Sequence, residues 1–548
     1  MDHPSLVTLD RDSAPRVLFS GDQLVEVDLP PGTRCIYPKP PLAGIKDPDA
    51  AIRYALNHPL GSDPLYAKLK PGMRVTIAVD DISVPLPPMR RPDVRERVLN
   101  IVLEMLADHG VDDIEIVIAL GIHRRLKAHE IRHIVGDKVF DAYYPERLYN
   151  HDAEDRANLV VVGHTDHGEA LELNRRAAES DLLIYVNLNF VAMNGGYKSV
   201  AVGLTSYESL RPHHNPHTIR RSDSYMDPAG SQLAHDIGRM GKVAHKALDV
   251  FSIETTVNNR MFDRNLDFLM KNEDELSGKE ALLLKALVAT TAKLPQAARQ
   301  AIFDKFPAPY ELTGVFAGAA EAVHAKAIQR CFDQYLVPIS GQADVLVTPI
   351  PFISPYNVHA FLNPLLVQVL AQGYLFNMYR GAPLVKKGGT LILLHPCTDK
   401  FDHEQHAPYV DFVHQLLPET RDAVELGQRY EQKFAANPAY IQMFRNGHAY
   451  HPAHPFFMWY WGENGRQHLG RVIVVGADNE YIPKAMGWET AASMEDALYR
   501  AKNGENRSLD VTLLHVPAIV MGDMAVPPPP PSAPPAPATP AASTGGAS

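Results

Sequence analysis

Cysteine is scarce in this sequence of 548 residues, and its three copies lie far apart. Cys35, Cys331 and Cys397 form no CxxC pair, which argues against a thiolate zinc site and against a disulfide framework. No apolar run reaches the roughly 18 residues of a membrane span, and the N-terminus lacks the basic and apolar stretches of a signal peptide. These absences predict a protein of the reducing cytoplasm without a membrane partner.

An excess of basic residues is also missing. Lys and Arg number 53 against 64 Asp and Glu, which gives a formal net charge of −11. Such a balance argues against nucleic acid or an anionic membrane as the main partner, so a small-molecule substrate is expected. Hydrophobic residues at 45% and charged residues at 21% are ordinary for a folded chain. The length predicts three to four domains, or two large ones with insertions.

Short apolar runs alternate with amphipathic stretches along most of the chain. This alternation is typical of parallel β-sheets covered by helices. A long amphipathic helix is predicted over residues 92–110. The predicted strands are 74–81, 113–121, 159–165, 181–189, 343–351, 388–397, 471–478 and a last one near 509–520.

We therefore predict an α/β protein with two α/β domains, a helical insertion between them and a disordered Pro/Ala-rich C-terminal tail. The first domain spans 1–262, and the insertion, rich in Leu, Ala, Lys and Glu, spans 263–312. The second domain spans 313–526, and its last part either completes that domain or packs back on the first. The tail, 527–548, has no large apolar residue to bury. Truncation after Val526 should therefore leave thermal stability unchanged.

Polar residues follow several of the predicted strands. In open α/β sheets the ligand site lies beyond the carboxyl ends of the strands, so these residues are expected to converge in one crevice. Each also has a structural explanation, since Asp81 could cap a helix, His123 could lie on the surface and 150–152 could form a turn. A Walker-type phosphate loop is excluded because Tyr197 precedes the lysine. The four segments are 80–85, 121–125, 150–152 and 194–198.

Three histidines form an HHxxH cluster in a proline-flanked segment. They are His213, His214 and His217. Imidazole is a common metal ligand near neutral pH, but HExxH is absent and the segment is not predicted to be helical. The spacing alone leaves open a metal site or a polar turn.

In their order along the chain these segments resemble the nickel-pincer lactate racemase family, over most of residues 20–525. The strand end 80–85 resembles the aspartate segment of that family, 121–124 its GxHR segment and 150–155 its NHDxxD segment. The family's GGxK, followed by a glycine turn and a later histidine, is matched by Gly195, Gly196, Lys198, Gly203 and His214. Residues 314–324 and the GGTLILL strand resemble its second domain.

The resemblance implies a nickel pincer nucleotide, supplied by cofactor-synthesis proteins of the host. It implies that Lys198 carries this cofactor covalently beside Gly195 and Gly196, and that His214 coordinates the nickel. It further implies racemisation of a 2-hydroxy acid by hydride abstraction and return, with His123 as the proton carrier. Histidine suits that role because its ordinary pKa, about 6.5, lies near neutral pH. Asp81 is implied in catalysis and in cofactor binding.

The sequence departs from the family at three positions. Val84 stands where the family has a carboxylate-binding arginine, Leu188 where it has a second histidine, and Leu365, near Asn363, where it has a lysine. Lactate itself is therefore a doubtful substrate. Guanidinium pairs bidentately with carboxylate, so Arg124, Arg125 and Arg211 are the candidate substitutes for the lost clamp.

Three functions remain open on the sequence. The first is a racemase or epimerase of a different, larger 2-hydroxy acid. The second is a nickel-pincer or nicotinamide-type redox enzyme with one-sided chemistry. The third is a non-catalytic ligand-binding relative, which the changes at Val84 and Leu188 would favour. Nickel analysis separates the third from the others.

Overall fold

A computed structural model describes residues 3–305 and 307–524. Within these residues no helix is both long and apolar enough to cross a membrane. The predicted tail lies outside the described residues. The chain forms mixed α/β structure with two large, mainly parallel sheets, which confirms the predicted fold class.

The first sheet has six strands among the described residues. Its neighbours pair in parallel, except that the edge strand Leu312–Gly318 runs antiparallel to Val250–Val257. Every residue of Leu182–Asn189 is buried, as expected for a parallel strand with helices on both faces. The order of the strands is Leu312–Gly318, Val250–Val257, Leu182–Asn189, Arg74–Asp80, Asp113–Ala119 and Leu148–Asn150.

The order of connection reverses beside the strand Arg74–Asp80. The chain continues from this strand to Asp113–Ala119 on one side and later returns to Leu182–Asn189 on the other. The predicted amphipathic helix forms as Val94–Asp108, where the Asp93 side chain accepts a hydrogen bond from the Arg95 amide and caps the helix. Such a reversal leaves a crevice beyond the carboxyl ends of the two central strands.

The second sheet has its centre at the strand Ala343–Pro351. This strand is almost completely buried and pairs in parallel with neighbours on both sides. The hairpin Arg16–Gly21 and Gln23–Val27 branches from its end. The main path runs through Leu6–Thr8, Arg34–Ile36, Val511–Leu514, Ala343–Pro351, Val385–Leu394, Arg471–Val475 and Glu489–Ala491. A small parallel sheet joins Leu336–Pro338, Met521–Asp523 and Tyr379–Arg380.

The two sheets exchange segments across the boundaries predicted at 262 and 312. The edge strand Leu312–Gly318 closes the first sheet, and the helix Ala320–Tyr335 packs against it. The N-terminal strands, in contrast, join the second sheet. Sheet pairing of this kind links residues hundreds of positions apart, so local pattern does not determine it.

The strand predicted over 159–165 is present but does not join a parallel sheet. Leu159–His164 pairs antiparallel with Ala170–Asn174 in a separate hairpin. Its burial is partial, because one side faces solvent.

The predicted helical segment begins with the short turns Arg264–Met270 and Glu273–Glu275 and continues as Gly278–Lys293 and Gln296–Lys305. Ser277 and Glu280 form a capping box at the start of the longer helix. Buried Arg16 pairs with Glu273 at 3.3 Å, which ties the segment to the N-terminal hairpin.

The other helices cover the two sheets and the region between them. Those of the first half are Pro48–Asn57, Leu65–Lys68, Ala128–Val135, Asp137–Tyr143, Arg156–Asn158, Arg175–Ala178, Tyr197–Gly203, Tyr207–Leu210, Pro216–Arg220 and Gln232–Ala247. Those of the second half are Pro364–Gln368, Val369–Tyr374, Leu375–Asn377, Ala407–Asp411, Phe412–Leu416, Ala423–Leu426, Gly427–Glu431, Gln432–Ala435, Pro438–Asn446, His454–Tyr460, Glu463–His468, Tyr481–Met486 and Met494–Ala501.

Candidate active site

A cavity of about 200 Å³ lies between segments that follow the strands of both sheets. The first sheet contributes the residues after its central strands, and the second contributes those after Ala343–Pro351 and Val511–Leu514. The wall is mostly apolar, with side chains such as Phe190, Met226 and Leu370. We call this space the apolar cavity; it forms where the connection order of both sheets reverses.

His123 and Asp81 form a hydrogen-bonded pair beside the apolar cavity. The Nδ1 of His123 lies 2.8 Å from Oδ2 of Asp81, and His123 lines the cavity. Burial alone would raise the pKa of Asp81, but the His123 charge and hydrogen bonds from His123 and Ser83 hold it below its ordinary value. The ionised carboxylate therefore accepts the Nδ1–H of His123, and in the neutral ring this leaves Nε2 as a proton acceptor. Asp81 lies behind His123 and is not among the described residues that line the cavity.

Lys198 follows a glycine pair whose backbone other residues could not adopt easily. Gly195 has φ +91°, and a Cβ there would lie 2.4 Å from Oδ1 of Asn189. Gly196 has φ +63° and donates its amide to buried Glu254 at 2.7 Å. Lys198 then lies in the first turn of the helix Tyr197–Gly203, with its side chain partly exposed to the cavities that it lines.

The amine of Lys198 has no hydrogen bond or ion pair within the part of the chain that the structure describes. Burial lowers the pKa of Lys198 to about 8, although the charges of Asp80 and Asp81 oppose this. A substantial neutral fraction near pH 8 makes this amine a nucleophile. Asp80 itself is a titratable group that the sequence analysis did not single out, and burial raises its pKa to about 7.

The HHxxH histidines do not converge on one point. His213 is fully buried, and its Nδ1 lies 2.6 Å from Nδ1 of His214. His214 lines the apolar cavity and stacks on Phe457, with ring centroids 5.3 Å apart. His217 is exposed at the start of another helix. A three-histidine site is therefore excluded, and His214 is the member of the cluster that faces the cavity.

A second cavity, of about 730 Å³, adjoins the first. Met193, Lys198, His214 and Trp461 line both spaces, so Lys198 and His214 lie at their junction. We call this second space the basic cavity, because its wall also includes Arg239, Lys242, His235 and His324, although Asp166 and Glu321 line it as well. Gly195 and Gly196 lie on the same wall.

The predicted substitutes for the carboxylate clamp have other positions. Arg124 is buried and forms two hydrogen bonds with Glu130, at 2.6 and 2.8 Å. Arg211 pairs with Glu431 at 3.2 Å. The described residues that line the apolar cavity include none of these three arginines and no other arginine. The local sequence could not show this, because Glu130 lies on the next helix and Glu431 is distant in sequence.

The three departures from the family occupy different surroundings. Val84 lines the apolar cavity and adds to its apolar wall. Leu188 is fully buried, and its amide donates to Oδ2 of Asp80 at 2.7 Å. Leu365 is buried in a helix that Asn363 caps.

The segment 150–152 does not reach the apolar cavity. His151 is buried and its Nε2 lies 3.0 Å from the Thr205 carbonyl. Asp152 pairs with Arg445 at 2.9 Å. The turn interpretation therefore fits this segment better than a catalytic one.

The second half of the chain contributes a histidine to the apolar cavity that the sequence analysis missed. His454 begins the helix His454–Tyr460 and lies near His123, with ring centroids 5.5 Å apart. Phe457 and Trp461 follow it on the same wall. The HPAHPFF segment gave a local signal, two histidines among aromatics, but nothing in sequence connected it to the 121–125 segment.

A further group with ligand-like spacing lies outside both cavities. Donor atoms of His129, Glu130 and His359 lie within 4.8 Å of one another. Glu130 already accepts two hydrogen bonds from Arg124, whose positive charge would repel a cation. This group is therefore a poor metal site.

Comparison with known proteins identifies the N-terminal part. The lactate racemase N-terminal domain matches residues 20–227. The lactate racemase of Lactiplantibacillus plantarum is 28% identical over 169 residues, and that of Thermoanaerobacterium thermosaccharolyticum is 25% identical over 172. Each match covers 30% of this chain and less than two fifths of the relative, 38% and 37% respectively.

A solved structure extends the likeness to most of the chain. The lactate racemase apoprotein from Thermoanaerobacterium thermosaccharolyticum has a TM-score of 0.59 and 18% identity, and the match covers 93% of this chain and all of that one. At this identity the likeness shows the fold alone. The matched region holds Asp81, His123, Lys198 and His214. Residues 20–227 thus match the lactate racemase N-terminal domain, and the chain shares its overall fold with a lactate racemase.

Proposed function

We propose that this protein is a nickel-pincer-dependent racemase or epimerase of a 2-hydroxy acid with a large apolar substituent. One observation carries the proposal: the Asp81–His123 pair, the amine of Lys198 and the ring of His214 all lie at one apolar cavity. These groups come from segments up to about 130 residues apart, and they meet where both sheets leave a crevice.

The residues present fit the proposed cofactor. Lys198 offers an amine of lowered pKa at the junction of the two cavities, which suits covalent attachment. His214 uses Nδ1 toward His213, so Nε2 remains for a metal. The basic cavity beside them supplies Lys242, which suits an anionic nucleotide, whereas Arg239 already pairs with Glu169 at 3.0 Å and with Asp236 at 2.8 Å. When bound, the nickel centre supplies an acceptor and donor of hydride.

The role of the protein side chains in the reaction follows from their hydrogen bonds. His123 lines the cavity, and because Asp81 accepts its Nδ1–H, Nε2 is the nitrogen available to exchange a proton with a substrate. In this arrangement His123 would take the hydroxyl proton of the substrate, and the bound cofactor would supply the acceptor for the C2 hydride as the 2-oxo acid forms. Return of the proton and the hydride regenerates the hydroxy acid. Asp81 orients the ring and stabilises its protonated form.

The wall of the apolar cavity supports a substrate other than lactate. Val84 replaces a cationic clamp with an apolar surface, and aromatic and aliphatic side chains dominate the remainder. The methyl group of lactate would leave much of this apolar wall uncovered, whereas an aromatic or long aliphatic substituent on the 2-hydroxy acid would bury it. We therefore propose 3-phenyllactate as a first test substrate.

A second candidate function is one-sided redox chemistry. Leu188 is fully buried at the position of the family's second histidine, so it offers no base on that side. An enzyme with one base could oxidise one enantiomer and leave the 2-oxo acid as product. Incubation of each enantiomer with loaded enzyme separates the two functions. A racemase gives the other enantiomer, whereas a redox enzyme keeps the hydride on its cofactor and gives one equivalent of 2-oxo acid per loaded site.

Intact mass and nickel content test the proposal directly. Protein from a host that makes the cofactor should carry a mass addition on the Lys198 peptide and about one nickel per chain. Lys198→Ala should lose the adduct, and His214→Ala should lose nickel more readily than the matched variant His217→Ala, whose ring is exposed. Unmodified Lys198 in protein from such a host would favour a non-catalytic binding relative. The dependence on cofactor-synthesis proteins and the cytoplasmic location remain predictions.

A further inference from the structure

His454 is a buried polar side chain at the apolar cavity that the proposed reaction does not yet use. Its exposure is 1%, and the ring lies against Tyr356 and Tyr450, with centroids 5.0 and 4.6 Å away. Its Nδ1 is hydrogen-bonded to the hydroxyl of Tyr409. No partner of its Nε2 occurs among the described residues.

The partner of Nδ1 determines which nitrogen of His454 carries the proton. The hydroxyl of Tyr409 is fully buried, and its one hydrogen-bond partner in the described part of the chain is His454. A buried O–H without an acceptor is unfavourable, so the phenol donates and Nδ1 accepts. A neutral ring that accepts at Nδ1 carries its hydrogen on Nε2.

The surroundings also keep this ring neutral. Burial, together with the charges of His123, His406, His451 and His214, lowers the pKa of His454 well below its ordinary value. Tyr356, Tyr450 and Tyr409 pack against the ring, and no carboxylate is in contact with it among the described residues. A protonated ring would have no counter-ion there.

His123 and His454 thus have opposite hydrogen-bonding character on one wall. His123 has a carboxylate at Nδ1 and presents an acceptor, whereas His454 has a phenol at Nδ1 and presents a donor. Their ring centroids are 5.5 Å apart, close enough for one small molecule to contact both. A 2-hydroxy acid has complementary groups, since its hydroxyl donates and its carboxylate accepts.

We propose that His454 donates a hydrogen bond from Nε2 to the substrate carboxylate, and that Tyr409 fixes it in this donor form. His454 thereby performs part of the role of the arginine that Val84 replaces, with a neutral donor instead of a cation. Two other polar groups on the same wall are already used: Ser83 donates to Asp81, and Tyr310 donates to the Leu86 carbonyl. The identity of the ligand rests on the proposed function, whereas the neutral Nε2–H tautomer of His454 does not.

Nitrogen NMR of the cofactor-free full-length protein tests the form of the ring. With ¹⁵N-labelled histidine, the His454 signals are identified by comparison with His454→Gln. We expect the neutral Nε2–H pattern from pH 6 to 8, and a loss of this single pattern in Tyr409→Phe. An Nδ1–H pattern or an imidazolium in the wild type would overturn the donor assignment.

Calorimetric binding of 3-phenyllactate tests the role of the donor. His454→Leu should weaken binding by about 10- to 100-fold, the effect of a lost hydrogen bond to a charged group. His454→Gln keeps an N–H donor of similar reach and should stay within about fivefold of wild type. Equal losses in both variants, with thermal midpoints unchanged, would overturn donation by His454. Failure of wild type to bind any 2-hydroxy acid would instead overturn the proposed substrate class, and the NMR result would still decide the form of the ring.

Discussion

Replacement of Lys198 by methionine should stabilise the cofactor-free protein at neutral pH. Lys198 is an ammonium group held in a cavity without an ion-pair partner among the described residues, and burial lowers its pKa from 10.5 to about 8. Such a change corresponds to about 3 kcal/mol of unfavourable ionisation. Because the side chain is partly exposed to the cavities, screening by water reduces this value, and we expect a gain of about 1–3 kcal/mol.

The gain should depend on pH in a defined direction. The unfolded chain keeps the lysine proton up to about pH 10.5, whereas the folded protein releases it near pH 8. Between these values the unfolded state binds more protons, so wild-type stability rises with pH relative to the variant. The advantage of Lys198→Met should therefore be complete below pH 8 and should vanish toward pH 10.5.

Thermal unfolding of both proteins from pH 6.5 to 10.5 measures this effect. At pH 7 the midpoint of Lys198→Met should lie roughly 2–6 °C above wild type. Lys242→Met is the matched control, because Lys242 is exposed on the basic cavity, and its midpoint should stay within about 1 °C of wild type at all pH values. A less stable Lys198→Met, or a gain that does not change with pH, would show that the amine is not held unfavourably and would remove this support for a functional lysine.

Three further predictions concern the same site and its surroundings. His123→Ala should lower the turnover of loaded enzyme by roughly 100- to 10,000-fold, with nickel and the Lys198 adduct retained. Asp81→Asn should lower turnover by a smaller factor. Joint loss of nickel and activity in His123→Ala would show that His123 has a structural role. Gly195→Ala should reduce cofactor attachment, because φ is +91° and the new Cβ would lie 2.4 Å from Asn189; full adduct formation in this variant would contradict the model of a tight loop. Arg124→Gln should destabilise the protein by roughly 3–5 kcal/mol in chemical unfolding, because it leaves the carboxylate of Glu130 buried without its partner. A higher KM for the substrate at unchanged stability would instead show that Arg124 is a substrate ligand.

Much of the fold could be predicted because it depends on local pattern. The runs that form Arg74–Asp80, Asp113–Ala119, Leu182–Asn189 and Ala343–Pro351 are apolar and β-branched, which is enough to predict buried parallel strands. The alternation with helices such as Val94–Asp108 then predicts the α/β class. The same topology indicated that polar residues after neighbouring strands would meet, and the contact between Asp81 and His123 agrees with this.

The partners of individual side chains depended on the tertiary structure. Glu130 takes Arg124 away from the cavity, and burial of His213 leaves His214 to face it. His454, more than 300 positions after His123, reaches the same wall through the second sheet and its helices. Sequence periodicity reports which face of an element is buried, but not which distant residue covers it. The sequence by itself therefore determined the fold class and the segments of the first half that meet at the candidate site, while the packing of the second half decided which charges and donors reach the apolar cavity.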